Sequence, residues 1–299
     1  MRLSEAQQAF LSRCYSQNLS ELTIDWYARK LKLLGEFLAA RSVPNIEAIT
    51  PIHIREYLAL QRQNRQSTET IFRTWGAFKC YFRFLHMEKI VKKNIMDRVE
   101  KPRRERHIIQ PLNMAQVHTL LKMPPLKTPQ GVRDRALMLL MVDSGLRLSE
   151  AISLKTEKIY WEDGLVTVMG KGRKERVVPI GGTTKAALQE YARVRKAIDV
   201  PYFFLSRRGY QMKNRYVQVA MRRYGRTAGI SGVRVSPHTL RHTFAIQYIK
   251  NGGDAFSLQS ILGHSTLDMV RNYVNLAQQD VTIQHRKFSP VDFVPPTNA

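Results

Sequence analysis

Residues 165–180 read LVTVMGKGRKERVVPI. Val166, Thr167 and Val168 on one side, and Val177, Val178 and Ile180 on the other, are β-branched runs. Between them lies a glycine-containing basic turn. This pattern predicts a hairpin with a cationic tip. On both sides of it the chain reads as helix. Upstream, residues 132–142 form a strongly apolar helical segment that ends near Ser144-Gly145, and Asn113 is an N-cap candidate before MAQVHTLL. Downstream, helical periodicity resumes from about Thr184. The second part of the chain is therefore expected to be mostly helical with one small sheet.

The first hundred residues predict four or five helices and no strand. After Ser20, Leu22, Tyr27, Leu31, Leu34 and Leu38 recur at helical spacing. Thr50-Pro51 reads as an N-cap followed by proline at the first helical position, with Ile52, Ile54, Tyr57 and Leu58 behind it. Ser67 opens a longer helix carrying Ile71, Trp75, Phe78, Phe82 and Leu85, interleaved with Arg73, Lys79 and Arg83. The aromatics are expected in a core rather than as base-stacking platforms. Residues 101–112, KPRRERHIIQPL, are bracketed by Pro102 and Pro111 and read as a linker. Its Arg103, Arg104 and Arg106 suit a phosphate backbone, although a plain solvated linker has the same composition. The division expected is a helical domain over 1–100, a basic linker over 101–112, a second domain over 113–285 and a tail over 286–299.

A chain of 299 residues fits two domains. Lys and Arg number 48 against 24 Asp and Glu, a formal net charge of +24, which points to a polyanionic partner. Residues 1–112 contribute +9 and residues 113–299 contribute +15, so both parts are expected to face that partner. The apolar runs, of which 136–142 is among the longest, fall far short of the roughly 18 residues of a membrane span. The N-terminus has no signal-peptide apolar stretch. Cys14 and Cys80 make neither a disulfide framework nor a zinc site, and a reducing cytosol is the expected compartment.

Four patches can carry chemistry. DSGLRLSE at 143–150 places Arg147 after a glycine turn, with Glu150 three residues on. The hairpin tip holds Lys171, Arg173 and Lys174. SPHTLRH at 236–242 puts His238 and Arg241 on one helical face. LGH at 262–264 and RNY at 271–273 supply His264 and Tyr273. Each alone has an ordinary reading as surface arginine, hairpin tip or core tyrosine. His238 and His242 sit at metal-pair spacing, but no third ligand accompanies them, and no metal is expected. Together the patches suit a phosphodiester. Two guanidiniums can clamp its non-bridging oxygens, and stabilising charge that develops there is often the largest catalytic effect. A phenol has a pKa of about 10 and needs nearby cations to attack phosphorus. A mobile lysine can protonate the leaving oxygen.

The ordered set Arg147, Lys171, His238, Arg241, His264 and Tyr273, at intervals of 24, 67, 3, 23 and 9 residues, resembles the signature of the tyrosine recombinases. GLRLSE, GKGRKERVVPI, SPHTLRHTFA and LGHSTLDMVRNYV match it in order, and the chain is most similar to the Xer and short phage or transposon integrase branch. The resemblance implies a helical core-binding domain of SAM-like type and a mixed catalytic domain, together forming a DNA clamp. It makes Tyr273 the nucleophile of a 3′-phosphotyrosyl bond, with Arg147 and Arg241 on the scissile phosphate. Lys171 would protonate the 5′-oxygen, His238 would assist proton transfer, and His264 would hydrogen-bond the phosphate. Glu150 would orient Arg147 or His238. Arg73, Lys79, Arg103, Arg104, Arg106, Arg173 and Lys174 are the expected backbone contacts on DNA.

No cofactor is implied, because the covalent bond conserves the phosphodiester energy. The implied partners are double-stranded DNA with inverted-repeat core sites, a homotetramer on two such sites, and accessory DNA-bending or directionality factors. The expected location is cytoplasmic, at the nucleoid. The 26 residues after Tyr273, with Pro290, Pro295 and Pro296, are more than a minimal Xer-type tail needs, and they favour integration, excision or transposition of a mobile element. The alternatives are an Xer-type recombinase resolving chromosome or plasmid dimers, and a catalytically dead DNA-binding regulator. No arm-binding domain is expected before the first helix. The apolar residues of the tail are expected to dock on a neighbouring protomer, with docking on its own domain as the simpler alternative.

Overall fold

The computed structural model describes residues 1–105, 110–170, 174–195, 200–264 and 266–277, together with His285 and Ser289. The chain divides into two compact units, Met1–His107 and Ile108–Ala299.

The first unit is helical: α1 (Leu3–Ser16), α2 (Glu21–Ala39), α3 (Pro51–Gln63) and α4 (Thr68–Met87). Serine hydroxyls start two of these. Ser20 accepts from the Thr23 amide and Ser67 from the Thr70 amide, each satisfying a donor that the first turn leaves open. Phe10, Leu31, Leu34, Ile54, Phe78, Tyr81 and Phe82 fill the core. Trp75, Phe78 and Phe82 of α4 lie in this core, where Trp75 donates its indole N–H to the Val99 carbonyl at 3.1 Å. Leu22 and Ile52 do not join it and stand in solvent. Their spacing explains this. At about 100° per residue, Leu22 lies opposite Leu31 on α2, and Ile52 lies about 200° from Ile54 on α3. Part of the linker belongs to this unit, since Lys101 and Arg104 pack over the Phe72 ring and Arg104 reaches Glu69 at 3.5 Å.

The second unit comprises α5 (Met114–Leu121), α6 (Pro129–Ser144), α7 (Leu148–Ile152), β1 (Ile159–Tyr160), β2 (Leu165–Met169), β3 (Glu175–Pro179), α8 (Gly182–Val194), α9 (Asn214–Thr227), α10 (Pro237–Lys250), α11 (Ala255–Leu262) and α12 (Asp268–Ala277). Leu112, at the end of the linker, is already buried here and gives its amide to Thr243 Oγ1 at 3.0 Å. Helix α6 is the central element. Ala136 to Met141 are all buried, which explains a run that is apolar on every side rather than on one. Its one buried ion pair, Arg133 with Asp134, is fully hydrogen-bonded. Arg133 donates to Asp134 Oδ1 and to the Leu205 carbonyl, and Tyr224 donates to Asp134 Oδ2 at 2.9 Å.

The sheet is antiparallel in the order β1-β2-β3, with Val166 opposite Val178 and Val168 opposite Arg176. Two residues of β1 complete it on the far side of β2, beyond the hairpin read from the sequence. A hydrogen bond from Gly170 N–H to the Lys174 carbonyl, at 2.8 Å, closes the hairpin across its tip.

Candidate active site

Helix α6 stops because Gly145 takes a left-handed conformation, φ +61°. A side chain there would drive into Phe244 and Leu262. The turn delivers Arg147 to the start of α7, where its backbone N–H and guanidinium both meet Glu150, each at 2.8 Å. Helix α10 begins at Ser236, whose hydroxyl caps the Thr239 amide, with Pro237 in the first helical position. This start places His238 at the exposed rim and Arg241 one turn deeper. Helix α11 ends at Gly263, φ +62°, which turns the chain into His264. Helix α12 brings Tyr273 back against α10.

Arg241 is only 4% exposed. It donates to the Gly145 carbonyl at 2.6 Å, to the Leu262 carbonyl at 2.9 Å, and lies 2.8 Å from His264 Nε2. Burial, and then the Arg147 charge, bring its pKa down to about 10, which leaves it a cation at neutral pH. Burial and the nearby arginines lower His264 to about 4, so its imidazole is neutral. A neutral ring that accepts from Arg241 at Nε2 carries its proton on Nδ1. That atom is buried without a partner among the described residues. Burial and Arg241 also hold His238 below the ordinary imidazole value.

The Tyr273 ring lies near two imidazoles, 5.1 Å from His242 and 6.1 Å from His264 by centroid. Burial raises its pKa, and Arg241 and Arg147 work against that rise. Burial would also raise Glu150, but hydrogen bonds from Arg176 and Arg147 outweigh it and hold the carboxylate below its ordinary range.

Of the residues singled out in the sequence, Arg147, Glu150, Arg241, His264 and Tyr273 come together here. His238 stands beside His242, with ring centroids 6.5 Å apart. Glu150 pairs with Arg147, and its further partner is Arg176. Lys171, Arg173 and Arg106 lie outside the described residues, as does most of the 286–299 tail. Arg103 and Lys174 are exposed. Arg73 pairs with Glu69 at 2.7 Å, and Lys79 lies over Trp75. Among the described residues, no three His, Cys, Asp or Glu side chains form a metal-binding group, and no helix is long and apolar enough to cross a membrane.

Sequence reasoning passed over Arg176 and the packing role of His242. Strand alternation marks the first. Residues 176, 178 and 180 share the inner face of the hairpin, and a charge on that face needs a buried partner.

The phage integrase family matches residues 110–280, and the phage integrase N-terminal SAM-like domain matches residues 9–89. The chain belongs to the phage integrase family, the tyrosine recombinases. Among curated relatives, the recombinase is 30% identical over 279 residues to tyrosine recombinase XerD of Staphylococcus epidermidis, covering 92% of this chain and 94% of that one. It is 28% identical over 281 residues to tyrosine recombinase XerC of Oceanobacillus iheyensis, with 92% of each covered. Its fold is similar to that of the Tn1549 transposon integrase in complex with a circular intermediate DNA: TM-score 0.77 at 19% identity, over 96% of this chain and 99% of that one.

Proposed function

We propose that this recombinase cleaves and rejoins DNA through a phosphotyrosyl intermediate at Tyr273. The observation that carries the reading is the convergence of Arg147 and Arg241, held by backbone carbonyls, beside a buried tyrosine and a neutral histidine. Tyr273 Oη bonds to the scissile phosphorus as its proton departs, and the bond from phosphorus to the 5′-oxygen breaks. Lys171 protonates that oxygen. Arg147, Arg241 and His264 hold the non-bridging oxygens, and His238 assists the transfer of the phenolic proton. Attack by a 5′-hydroxyl reverses these steps and releases Tyr273. The fixed donors need no reorganisation when charge develops on the phosphate, which is why they favour the transition state over the ground state.

The polyanion is double-stranded DNA, held by the basic surfaces of both units, with a homotetramer assembled on two sites. The Tn1549 integrase, a structural neighbour bound to DNA, is in line with that partner. For the biological role the relatives favour the Xer-type reading, resolution of chromosome or plasmid dimers, over the mobile-element role expected from the tail. XerC and XerD proteins align with over nine-tenths of this chain. Disrupting the gene in its host should leave dimers unresolved. Normal resolution, combined with failure of a mobile element to excise, would assign the enzyme to that element instead.

We also propose that the 286–299 tail docks on a neighbouring copy rather than on its own domain.

A further inference from the structure

Three arginines end on three consecutive carbonyls at the close of α11. Arg176 Nε donates to Ile261 O at 2.9 Å, Arg241 Nη2 to Leu262 O at 2.9 Å, and Arg147 Nη2 to Gly263 O at 3.2 Å. The partial negative charge at a helix C-terminus suits all three. Two of them are the arginines assigned above to the phosphate. Arg176 has no part in that assignment, yet all three of its guanidinium nitrogens are engaged. Its Nη1 and Nη2 grip both oxygens of Glu150 at 2.9 Å each, on a carboxylate side chain that is 3% exposed. Glu150 in turn receives the Arg147 backbone N–H and Nη1. The Arg176 guanidinium also lies close against Gly263. A Cβ there would come within 3.0 Å of Nε and 3.1 Å of Cζ.

One side chain on β3 therefore fixes both supports of the clamp. It holds Glu150, which orients Arg147, and it holds the 261–263 turn, whose carbonyls aim Arg241 and Arg147. It also settles the charge. Glu150 alone would neutralise Arg147, whereas three guanidiniums against one carboxylate leave two positive charges in excess for a phosphate. A lysine could supply the charge but not the planar fork with a third donor on the backbone.

We propose that Arg176 is a positioning residue for DNA cleavage, acting through Arg147 and Arg241 rather than on the DNA. The inference rests on the phosphate-binding role proposed for those two arginines.

The test uses the full chain on a nicked suicide substrate, with Arg176→Gln and Arg176→Lys. Affinity for the intact site is measured beside the single-turnover cleavage rate at saturating protein. For Arg176→Gln, affinity should stay within about 2-fold while the cleavage rate falls at least about 10-fold. In an Arg147→Lys background the same substitution should cost less than it does alone, because the share acting through Arg147 is already lost and only the share acting through Arg241 remains. Arg176→Lys should fall between the wild type and Arg176→Gln, and it carries the comparison if the glutamine variant does not fold. Wild-type cleavage by Arg176→Gln, a parallel loss of affinity, or full additivity with Arg147→Lys would each overturn the proposal. Failure of the wild type itself to form an adduct would instead overturn the proposed function.

Discussion

Arg241 shows how a buried charge is made useful. A guanidinium taken out of water is costly unless each face finds an acceptor, and Arg241 meets the Gly145 and Leu262 carbonyls and His264 Nε2. Its direction is thereby set before any phosphate arrives. The same crowding keeps His264 neutral, with consequences for stability. In the unfolded chain this histidine takes up a proton near pH 6.5, and in the folded chain only near pH 4. The unfolded state therefore binds more protons between those values, so stability is full above about pH 6.5 and is lost as pH falls toward 4. Urea midpoints measured at pH 7 and pH 5 should show wild type losing stability and His264→Gln losing distinctly less. An equal loss in both would place the pH sensitivity in other groups.

Local signals named the elements well where chemistry is local. The caps at Ser20, Ser67 and Asn113 hold their third-residue amides, as their side chains require. Glycine at 145 ends α6 because the turn demands a positive φ. The hairpin was legible from two β-branched runs around a glycine-rich tip. Leu22 and Ile52 misled because they were counted with their helices' apolar series although their steps of five and two residues turn them off the core face. Arg147, Arg241, His264 and Tyr273, which the fold brings together, were legible from their order along the chain. Their supports were not. The carbonyls of Gly145, Leu262 and Gly263 matter only once α7, α11 and β3 meet, and sequence spacing carries no trace of a backbone acceptor; Arg176 left only the indirect mark of a charge on the inner face of β3.

Over the whole molecule, positive charge spreads across both units while the reactive groups gather in the second. Affinity therefore draws on many phosphates and rate on a few donors, so the two can be separated by mutation. Assembly adds a third level. Burying one large apolar side chain is worth roughly 1.5–3 kcal/mol, so the apolar residues Val281, Ile283, Phe288, Val291, Phe293 and Val294 favour a docked tail over a solvated one. Head-to-tail docking closes a ring when the rotation permits. Deleting residues 286–299 should leave single-site binding intact and lower recombination between two sites. Recombination at the full rate by the truncated protein would rule out docking between copies. The central claim, a covalent bond from Tyr273 to DNA, is tested most directly by trapping the adduct on a nicked suicide substrate, digesting it and locating the DNA-bearing peptide by mass spectrometry. A 3′-phosphate should be found on Tyr273, with no adduct from Tyr273→Phe. A different linked residue, a 5′-linkage, or a full-strength adduct from Tyr273→Phe would contradict it.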